Sequence, residues 1–486
     1  MALTCGSGSW AQKPYIVADF AEEDLPTMLQ LCRWGGFEIL VERNPFATCG
    51  HYEWNPSFAP EGDLSVKRMV NAAQQEGVQL GLLVQEDAIS LNDAFFAPNY
   101  FRQYRRSEQM SLFDDITAED VDIALRRNET IKGLSALNLL MIDDEMISIG
   151  TMEFAGDLVL LHHCTRGLYG TKSAAHGLDA KAFKILEAPD RCVAPDGELR
   201  EQVRQQLANR ISAAEVPVLI RKGGPGQELL DESIRVSQVD RWKDGGIAEN
   251  TMGWFMIHAA DQKRTATSLE DLEWMLSKAI AFDASFSLLL DKKAIKEHGR
   301  LEEMLRTIQL WHGLRDEHFF TPTQLEEMRD PYADWHLEQS DSLCYKLSQW
   351  NFSRRYRCNF EEIDPLLISS EKWEWKADEE GRFGLRIQVG GEVPLKNPMV
   401  NTERGLVMFP CTIQPGQCLV YNFHDLAYVM DANFTKLESV EIEGVSELPQ
   451  GASEVYLICE KLSEGPNPEV TLRYITCEKA EEDCPH

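Results

Sequence analysis

The chain has 486 residues, and its 79 acidic and 48 basic residues give a formal charge of −31 at pH 7. Nucleic acids and anionic membrane surfaces are bound mainly through Lys and Arg, so this charge argues against both as general partners. Hydrophobic residues make up 43% of the chain and charged residues 26%, and no apolar run reaches the roughly 20 residues of a membrane-spanning helix. The composition therefore predicts a globular protein of about three domains, or one large barrel with an appended domain.

The first 14 residues are predicted to be a leader. Ser9, Trp10 and Ala11 before Gln12 look like the small-x-small end of a secretory signal that has lost its charged and apolar parts. This pattern predicts a periplasmic or secreted bacterial protein whose start codon lies upstream; a short disordered leader on a cytoplasmic protein is the alternative. The twelve cysteines include no C-x-x-C pair, so most are expected to be buried thiols, and a few would pair after export.

Strand and helix signals alternate through the first two thirds of the chain. The runs predicted as strands are Tyr15–Asp19, Phe37–Glu42, Val78–Val84, Val216–Ile220, Ile234–Val239, Met252–Ile257 and Ala284–Leu290. Amphipathic helices are predicted between them, including one with Val66, Met69 and Val70 on its apolar face and one capped by Ser268 with Asp271. About seven strands with crossover helices, and no glycine fingerprint after the first strand, favour an α/β fold of the (β/α)8 TIM-barrel type over a doubly wound open sheet.

Two segments break this alternation. One holds short β-like runs between turn signals, which predicts a small β module inserted into a barrel loop. The other, at the C-terminal end, holds short strands without helices, which is typical of a β-sandwich. The predicted domains are a leader (1–14), the first part of the barrel (15–136), the inserted β module (137–187), the second part of the barrel (188–345) and the C-terminal β-sandwich (346–486).

Candidate site residues are those that follow the apolar runs, because a (β/α) barrel builds its active site at the carboxyl ends of its strands. Glu42 ends one run, and the long loop behind it carries His51, Tyr52 and Trp54. Aromatic residues interleaved with polar ones suit the apolar face and the hydroxyl groups of a sugar. The alternative is a loop that packs its own aromatic side chains against the barrel rim.

Glu86 and Asp240 are the predicted catalytic pair, because hydrolysis of an acetal needs two carboxyl groups that face the bond. Glu86 follows the run Val78–Val84, and Asp240 follows Ile234–Val239 with Trp242 beside it as a sugar platform. Arg221 is predicted either to clamp an acidic group of a sugar or to neutralise Glu86 or a neighbour. The other candidate substrate-binding residues are Asp87, Asn92, Asp93 and His258. No cofactor and no metal site is predicted.

Several segments of the chain resemble TIM-barrel glycoside-hydrolase-like proteins of polysaccharide-degrading bacteria. The first two are KPYIVADF and the run from GGFEILVERN to AISLND, which contains Gly50-His51-Tyr52, a G-V-x-L-G strand and Asn92-Asp93. DDEMISIG and CTRGLYGTKSAAH look like the small β module inserted in many of these proteins, and SLEDLEWMLSKAIAFDASFSLLL and IQPGQCLVYNF also look similar. The resemblance covers most of the chain and implies a sugar-binding barrel with a C-terminal β-sandwich.

The chain departs from this pattern at two strand ends. Such barrels typically place a histidine on the strand of LLVQED and an Asp-rich D-x-D-G end where this chain has VLIRKGG. The resemblance therefore implies a glycoside hydrolase acting on a polysaccharide or oligosaccharide, and leaves open a degenerate barrel that binds glycans without cleaving them.

Overall fold

The computed structural model describes residues 13–128, 133–178, 180–224, 227–230, 235–245, 247, 251–262, 264–339, 344–461 and 465–483. The predicted leader lies outside the described residues, apart from its last two. The chain divides into two compact units: the first contains Asp19–Leu29 and Ile39–Gly224, and the second contains the described residues before 19, Gln30–Glu38 and the described residues after 226.

The helices lie mainly in the first two thirds of the chain. The α-helices are α1 (Leu25–Gly35), α2 (Asp63–Gln75), α3 (Gly197–Ala214), α4 (Arg235–Gly245), α5 (Leu269–Ala281), α6 (Lys292–Glu297), α7 (Leu301–Asp316) and α8 (Pro322–Met328). Two short 3-10 helices cover Glu22–Asp24 and Pro98–Gln103. Among the described residues, no helix combines the length and the apolar content that crossing a membrane requires.

Strands occur throughout the described chain. Up to residue 290 they are β1 (Tyr15–Ala18), β2 (Ile39–Glu42), β3 (Gln79–Val84), β4 (Met110–Ser111), β5 (Ile123–Arg126), β6 (Leu139–Ile142), β7 (Glu145–Ser148), β8 (Thr151–Ala155), β9 (Leu158–His162), β10 (Lys181–Lys184), β11 (Glu187–Ala188), β12 (Cys192–Val193), β13 (Val218–Arg221), β14 (Thr251–Ile257) and β15 (Ser285–Leu290). After residue 330 they are β16 (Asp334–Gln339), β17 (Tyr345–Phe352), β18 (Tyr356–Arg357), β19 (Phe360–Asp364), β20 (Leu367–Ser370), β21 (Trp373–Ala377), β22 (Gly381–Arg382), β23 (Gly384–Gly390), β24 (Leu395–Thr402), β25 (Gly405–Met408), β26 (Thr412–Ile413), β27 (Cys418–Tyr421), β28 (Leu426–Met430), β29 (Lys436–Glu441), β30 (Glu443–Gly444), β31 (Glu447–Leu448), β32 (Gly451–Glu460) and β33 (Glu469–Asp483).

In the first unit, three parallel strands lie in the order β13, β3, β2. Val41 pairs with Gly81, and Gly81 pairs with Val218 on the other side. A Cβ at Gly81 would lie 3.1 Å from a Val218 methyl carbon and 3.2 Å from one of Val41, so glycine lets these side chains meet over the middle strand. Helix α2 packs against β3 and α3, and it buries Val66, Met69 and Val70. This confirms the apolar face predicted from the sequence.

The β module of the first unit consists of small antiparallel sheets. A four-stranded sheet has the order β4, β10, β6, β7, and a three-stranded sheet has the order β5, β9, β8. Apolar side chains of both sheets, among them Leu140, Ile147 and Leu161, share one buried cluster. Strands β4 and β5 belong to these sheets although they precede residue 137 in the chain.

In the second unit, β15 lies between β1 and β14 with all three strands parallel. One predicted strand is wrong: residues 231–234 lie outside the described part, and Arg235–Gly245 is a helix. Val239 and Trp242 are buried on that helix while Asp240 is exposed, so the apolar residues follow a helical spacing that a run of six residues does not distinguish from a strand. The described parallel strands do not show the closed eight-stranded barrel that the sequence predicts.

The C-terminal part of the second unit is rich in β-structure, as predicted. One sheet has the order β16, β17, β33, β23, β27, β28, β29, and another has the order β19, β20, β32, β24, β25, β30. Leu385 and Leu419 of the first sheet and Val400 and Leu457 of the second lie in one buried cluster. The two sheets therefore enclose a shared core, as the sheets of a β-sandwich do. Its first strand begins at Asp334, before the predicted boundary at 346.

Candidate functional site

Glu42, at the carboxyl end of β2, is 2% exposed, and its carboxylate accepts hydrogen bonds from two backbone amides. Its Oε2 accepts a hydrogen bond of 3.0 Å from the amide of Phe20, and its Oε1 accepts one of 3.0 Å from the amide of Asn44. A buried carboxylate needs such donors, because leaving it without partners is costly. Glu42 therefore fixes the start of the long loop that follows β2, and a direct contact with a ligand stays a prediction.

His51 and Asp93 form an oriented pair in the first unit. Asp93 is buried and accepts three hydrogen bonds, from the amide of His51 (2.9 Å), from Nδ1 of His51 (2.7 Å) and from the amide of Phe95 (2.8 Å). The imidazole stacks on the ring of Phe95 at 4.0 Å between centroids, and the His51 side chain is 34% exposed. With Nδ1 held by the carboxylate, Nε2 is the nitrogen that can meet a ligand.

Gly50 makes this pair possible. Its φ is +119°, a conformation that side-chain-bearing residues rarely adopt, and a Cβ there would lie 2.5 Å from an Asp93 carboxylate oxygen. The dipeptide Gly50-His51 therefore brings the histidine backbone directly onto the Asp93 carboxylate.

The aromatic residues of the loop form its own core. Tyr52 is fully buried and Trp54 is 8% exposed. Trp54 stacks on Phe46 at 4.9 Å and donates from Nε1 to Asp63 at 2.6 Å, and the Tyr52 hydroxyl donates to the carbonyl of Gln85 at 2.9 Å. The structure thus favours the alternative in which the loop packs its own aromatics, and the predicted sugar contacts of Tyr52 and Trp54 stay predictions.

Tyr52 also anchors the loop to the end of β3. Tyr52 has a φ of 52°, and Asp87, two residues beyond Gln85, also has a φ of 52°. A left-handed backbone at a non-glycine residue costs about 1 to 3 kcal/mol and persists where surrounding contacts impose it. The end of β3 and the loop that meets it therefore hold two such residues, and this kind of strain clusters at functional sites.

Glu86 and Asp87 lie directly after β3, and each has an arginine beside it. Arg221, the last residue of the neighbouring strand β13, has Nε 3.7 Å from Oε2 of Glu86. Arg204 on α3 holds Asp87 with two hydrogen bonds of 2.7 and 2.8 Å. The ion pair agrees with the predicted role in which Arg221 neutralises Glu86, and its other predicted role, clamping an acidic group of a sugar, stays a prediction. Asn92, one residue before Asp93, is exposed.

The remaining predicted site residues belong to the second unit. Asp240 is exposed on α4, so the strand-end argument for choosing it no longer applies. Trp242 is 5% exposed and packs edge-on against Phe282 at 5.9 Å, which makes it a core residue. His258 does follow a parallel strand, β14, and its Nδ1 lies 3.0 Å from the carbonyl of Ala259.

Sequence reasoning missed a pair of thiols near the end of β3. The amide of Cys49 donates to Oγ of Ser90 at 2.8 Å, and the same Oγ lies 3.7 Å from Sγ of Cys192. A hydrogen bond from the Cys49 thiol, against the effect of burial, lowers the pKa of Cys192 to about 7. Both cysteines are free thiols, whereas Cys344 is disulfide-bonded. No local sequence pattern joins residues 49 and 192, because the fold alone brings them together.

Comparisons with known proteins do not assign a family. No protein-family model and no curated protein matches the chain. Solved structures that it resembles include an alpha-amylase from Geobacillus thermoleovorans complexed with acarbose (8% identity, 94% of this chain and 100% of that chain, TM-score 0.33). Others are a maltogenic alpha-amylase from Thermotoga neapolitana (9%, 90% and 98%, 0.34) and a GH36 alpha-galactosidase from Geobacillus stearothermophilus with raffinose (9%, 93% and 56%, 0.30). TM-scores this low do not establish a shared fold or a shared activity.

Proposed function

We propose that this protein is a glycoside hydrolase that acts on a polysaccharide or oligosaccharide through the carboxyl-end edge of β2 and β3. The observation that carries the proposal is that Glu86 and an oriented histidine lie in the same unit and are linked through the hydrogen bond from Tyr52 to Gln85. Glu86 has a side chain that is 23% exposed, and His51 is held by the buried Asp93. Tyr52 follows His51 in the loop and bonds to Gln85, the residue before Glu86. Acid–base chemistry on an acetal needs groups that are both accessible and held in place.

We assign Glu86 the role of base or nucleophile, in which a carboxylate acts as an anion. A guanidinium whose Nε lies 3.7 Å away is compatible with this role, because it approaches the carboxylate without closing a direct hydrogen bond. Asp240, which the sequence predicts as the second carboxylate, lies exposed on α4 rather than at a strand end, so no acid is assigned. His51 is assigned to hydrogen-bond a sugar hydroxyl through Nε2, with Asp93 as its positioning residue.

The first experiment measures release of reducing sugar from a panel of plant and animal polysaccharides. Glu86→Gln should preserve folding and lower turnover by about a hundredfold or more, because the amide keeps the shape of the side chain and loses its charge. Glu198→Gln, the same substitution at an exposed residue in the first turn of α3, is the control and should leave turnover unchanged. Equal turnover in wild type and Glu86→Gln would contradict the assignment.

The prediction from the sequence that Asp240 is the second carboxylate is tested separately with Asp240→Asn. A loss of turnover comparable to that of Glu86→Gln supports the predicted pair. Unchanged turnover in Asp240→Asn, with turnover lost in Glu86→Gln, shows that the acid is another residue and leaves the hydrolase proposal standing.

A second function, glycan binding without cleavage, is favoured by one observation. The Arg221 guanidinium partly offsets the charge of the Glu86 carboxylate, which weakens Glu86 as a base or nucleophile but leaves its oxygens able to accept hydrogen bonds from sugar hydroxyls. Binding of an oligosaccharide to the wild type, measured by calorimetry, without any release of reducing sugar identifies this second function. Hydrolysis by the wild type excludes it.

A further inference from the structure

The second unit contains a cavity of about 620 Å³ that none of the predicted catalytic residues lines. One part of its wall is apolar and includes Leu229, Phe255, Met256 and Phe352. The rest is strongly charged, with arginines and carboxylates side by side. A cavity of this size is in the range that encloses a small organic ligand.

Three of the four carboxylates of this wall have cationic partners, and the fourth, Asp431, accepts hydrogen bonds from the backbone amides of Asn433 and Thr435. Glu270 accepts a hydrogen bond of 2.5 Å from Arg386, and burial, which alone would raise its pKa, is outweighed by Arg386 and Arg300, so that the pKa is about 2. Arg235 bridges Asp271 and Asp334. Arg386 and Arg235 are therefore already paired with carboxylates of the protein itself.

Two further arginines of the wall lack such a partner. Arg473 donates from Nε to the carbonyl of Ser353 at 2.8 Å and lies over the ring of Phe352 at 4.3 Å. Within the described residues, its two Nη groups have no hydrogen-bond acceptor and Arg355 has neither a hydrogen-bond nor an ion-pair partner. The negative charge of Asp334 favours the charged form of Arg473, but Asp334 forms its direct ion pair with Arg235.

The two arginines also repel each other. Burial and the nearby charge of Arg355 lower the pKa of Arg473, while Asp334 raises it. Two guanidinium groups that face one cavity, one of them half-buried, are stabilised when an anion lies between them. Arginine's planar fork suits two oxygens of a carboxylate, a phosphate or a sulfate.

We propose that this cavity binds a small organic anion whose oxyanion group is held by Arg355 and Arg473 and whose body lies on the apolar wall. Sugar phosphates and uronic acids share this chemistry, and the experiment distinguishes them. The proposal does not depend on Glu86, so failure of the hydrolase test leaves it unaffected.

The test uses the full chain with four probes: inorganic phosphate, glucose 6-phosphate, glucuronate and uncharged glucose. Binding is followed by calorimetry and by the rise of the unfolding temperature that a ligand of the folded state produces. We expect at least one anionic probe to bind and glucose not to bind. Preference for glucose 6-phosphate indicates a phosphate ester, and preference for glucuronate indicates a carboxylate.

Arg355→Met is the decisive variant, because Arg355 is exposed and its loss should not disturb folding. It should weaken binding of the anionic probe about tenfold or more, the usual effect of losing a charge-assisted contact. Arg473→Lys should also weaken binding, because lysine keeps the charge but not the fork. The matched control is Arg354→Met; Arg354 lies over the Tyr356 ring at 5.0 Å and does not line the cavity.

A readout without ligand separates a binding role from a structural one. If Arg355 serves only an anion, removing one of two like charges should leave the unfolding temperature of Arg355→Met equal to that of the wild type or above it. A clear drop of that temperature, absence of binding by all three anionic probes, or equal binding by wild type and Arg355→Met would each overturn the proposal.

Discussion

Glu145 in the β module is a residue at which a single substitution should have a large effect on the first unit. It is 2% exposed, and its carboxylate holds the guanidinium of Arg166 with two hydrogen bonds of 2.8 Å. It also lies 2.8 Å from Nε2 of His176 and accepts from the amides of Gly167 and Ala174. Burial alone would raise the pKa of Glu145, but these partners outweigh it and lower the pKa to about 2.

The magnitude follows from this pKa. A fall from the ordinary 4.5 to about 2 corresponds to about 3 kcal/mol of stabilisation at about 1.4 kcal/mol per pH unit. Removal of one partner of a buried ion pair costs about 3 to 5 kcal/mol, in agreement. Glu145→Gln should therefore lower the free energy of opening of the module by about 3 kcal/mol, which is about a hundredfold faster exchange of its protected backbone amides.

Hydrogen exchange of the amides in β6 and β7 measures this effect. Because the folded pKa is lowered, the stabilisation is complete above the unfolded pKa near 4.5 and is lost as the pH falls from 4.5 to about 2. The ratio of exchange rates between variant and wild type should thus shrink over that range. Asp144→Asn is the control. Asp144 forms an ion pair with Arg102, but the Arg102 side chain is 70% exposed and the Asp144 side chain 74% exposed, so the pair contributes little to stability. A ratio below about threefold at pH 7, or an equal effect of Asp144→Asn, would refute the reasoning.

Three further predictions concern stability and are measured by chemical denaturation. Tyr52→Ala and Trp54→Ala should each cost about 3 to 5 kcal/mol because both side chains are buried; costs below about 1 kcal/mol would contradict the loop core described above. Asp93→Asn should cost about 1 to 3 kcal/mol because an amide nitrogen then faces one of the three donors. Burial lowers the pKa of Lys278 to about 7, so Lys278→Met should stabilise the protein at pH 7. Between pH 7 and 10.5 the lysine is protonated in the unfolded chain but mostly neutral in the folded protein, so the wild type becomes more stable as the pH rises. The stabilisation by Lys278→Met should therefore shrink over this range, and a constant stabilisation would contradict the prediction.

Local sequence patterns predicted the secondary structure correctly where the spacing of apolar residues and the length of the segment indicated the same kind of element. The strand Val78–Val84 is observed as Gln79–Val84, and the predicted cap is confirmed by the bond from the amide of Asp271 to Oγ of Ser268. The pattern was wrong at Ile234–Val239, because a run of six residues fits a strand and one side of a helix equally well. That error also removed the reason for choosing Asp240.

The candidate site was predicted in part. Gly50-His51-Tyr52 and Asn92-Asp93 were singled out, and the structure joins His51 to Asp93 by direct hydrogen bonds. The thiol pair was not predicted, and packing of Tyr52 and Trp54 within the loop was only the alternative to sugar contacts. Burial of an aromatic side chain in a loop depends on tertiary packing, and neither residue shows a periodic pattern that would signal it.

The arginine-lined cavity shows why net charge predicts partners only coarsely. A charge of −31 argues against broad attraction to polyanions, because such attraction depends on the summed field of the protein. Recognition of one oxyanion depends instead on a few guanidinium groups that are not paired with carboxylates of the protein itself. In this cavity Arg386 is paired with Glu270, and Arg235 is paired with Asp271 and Asp334. Arg355 and Arg473 have no carboxylate partner among the described residues. An acidic protein can thus hold a cationic site, and only the pairing pattern in the folded chain reveals it.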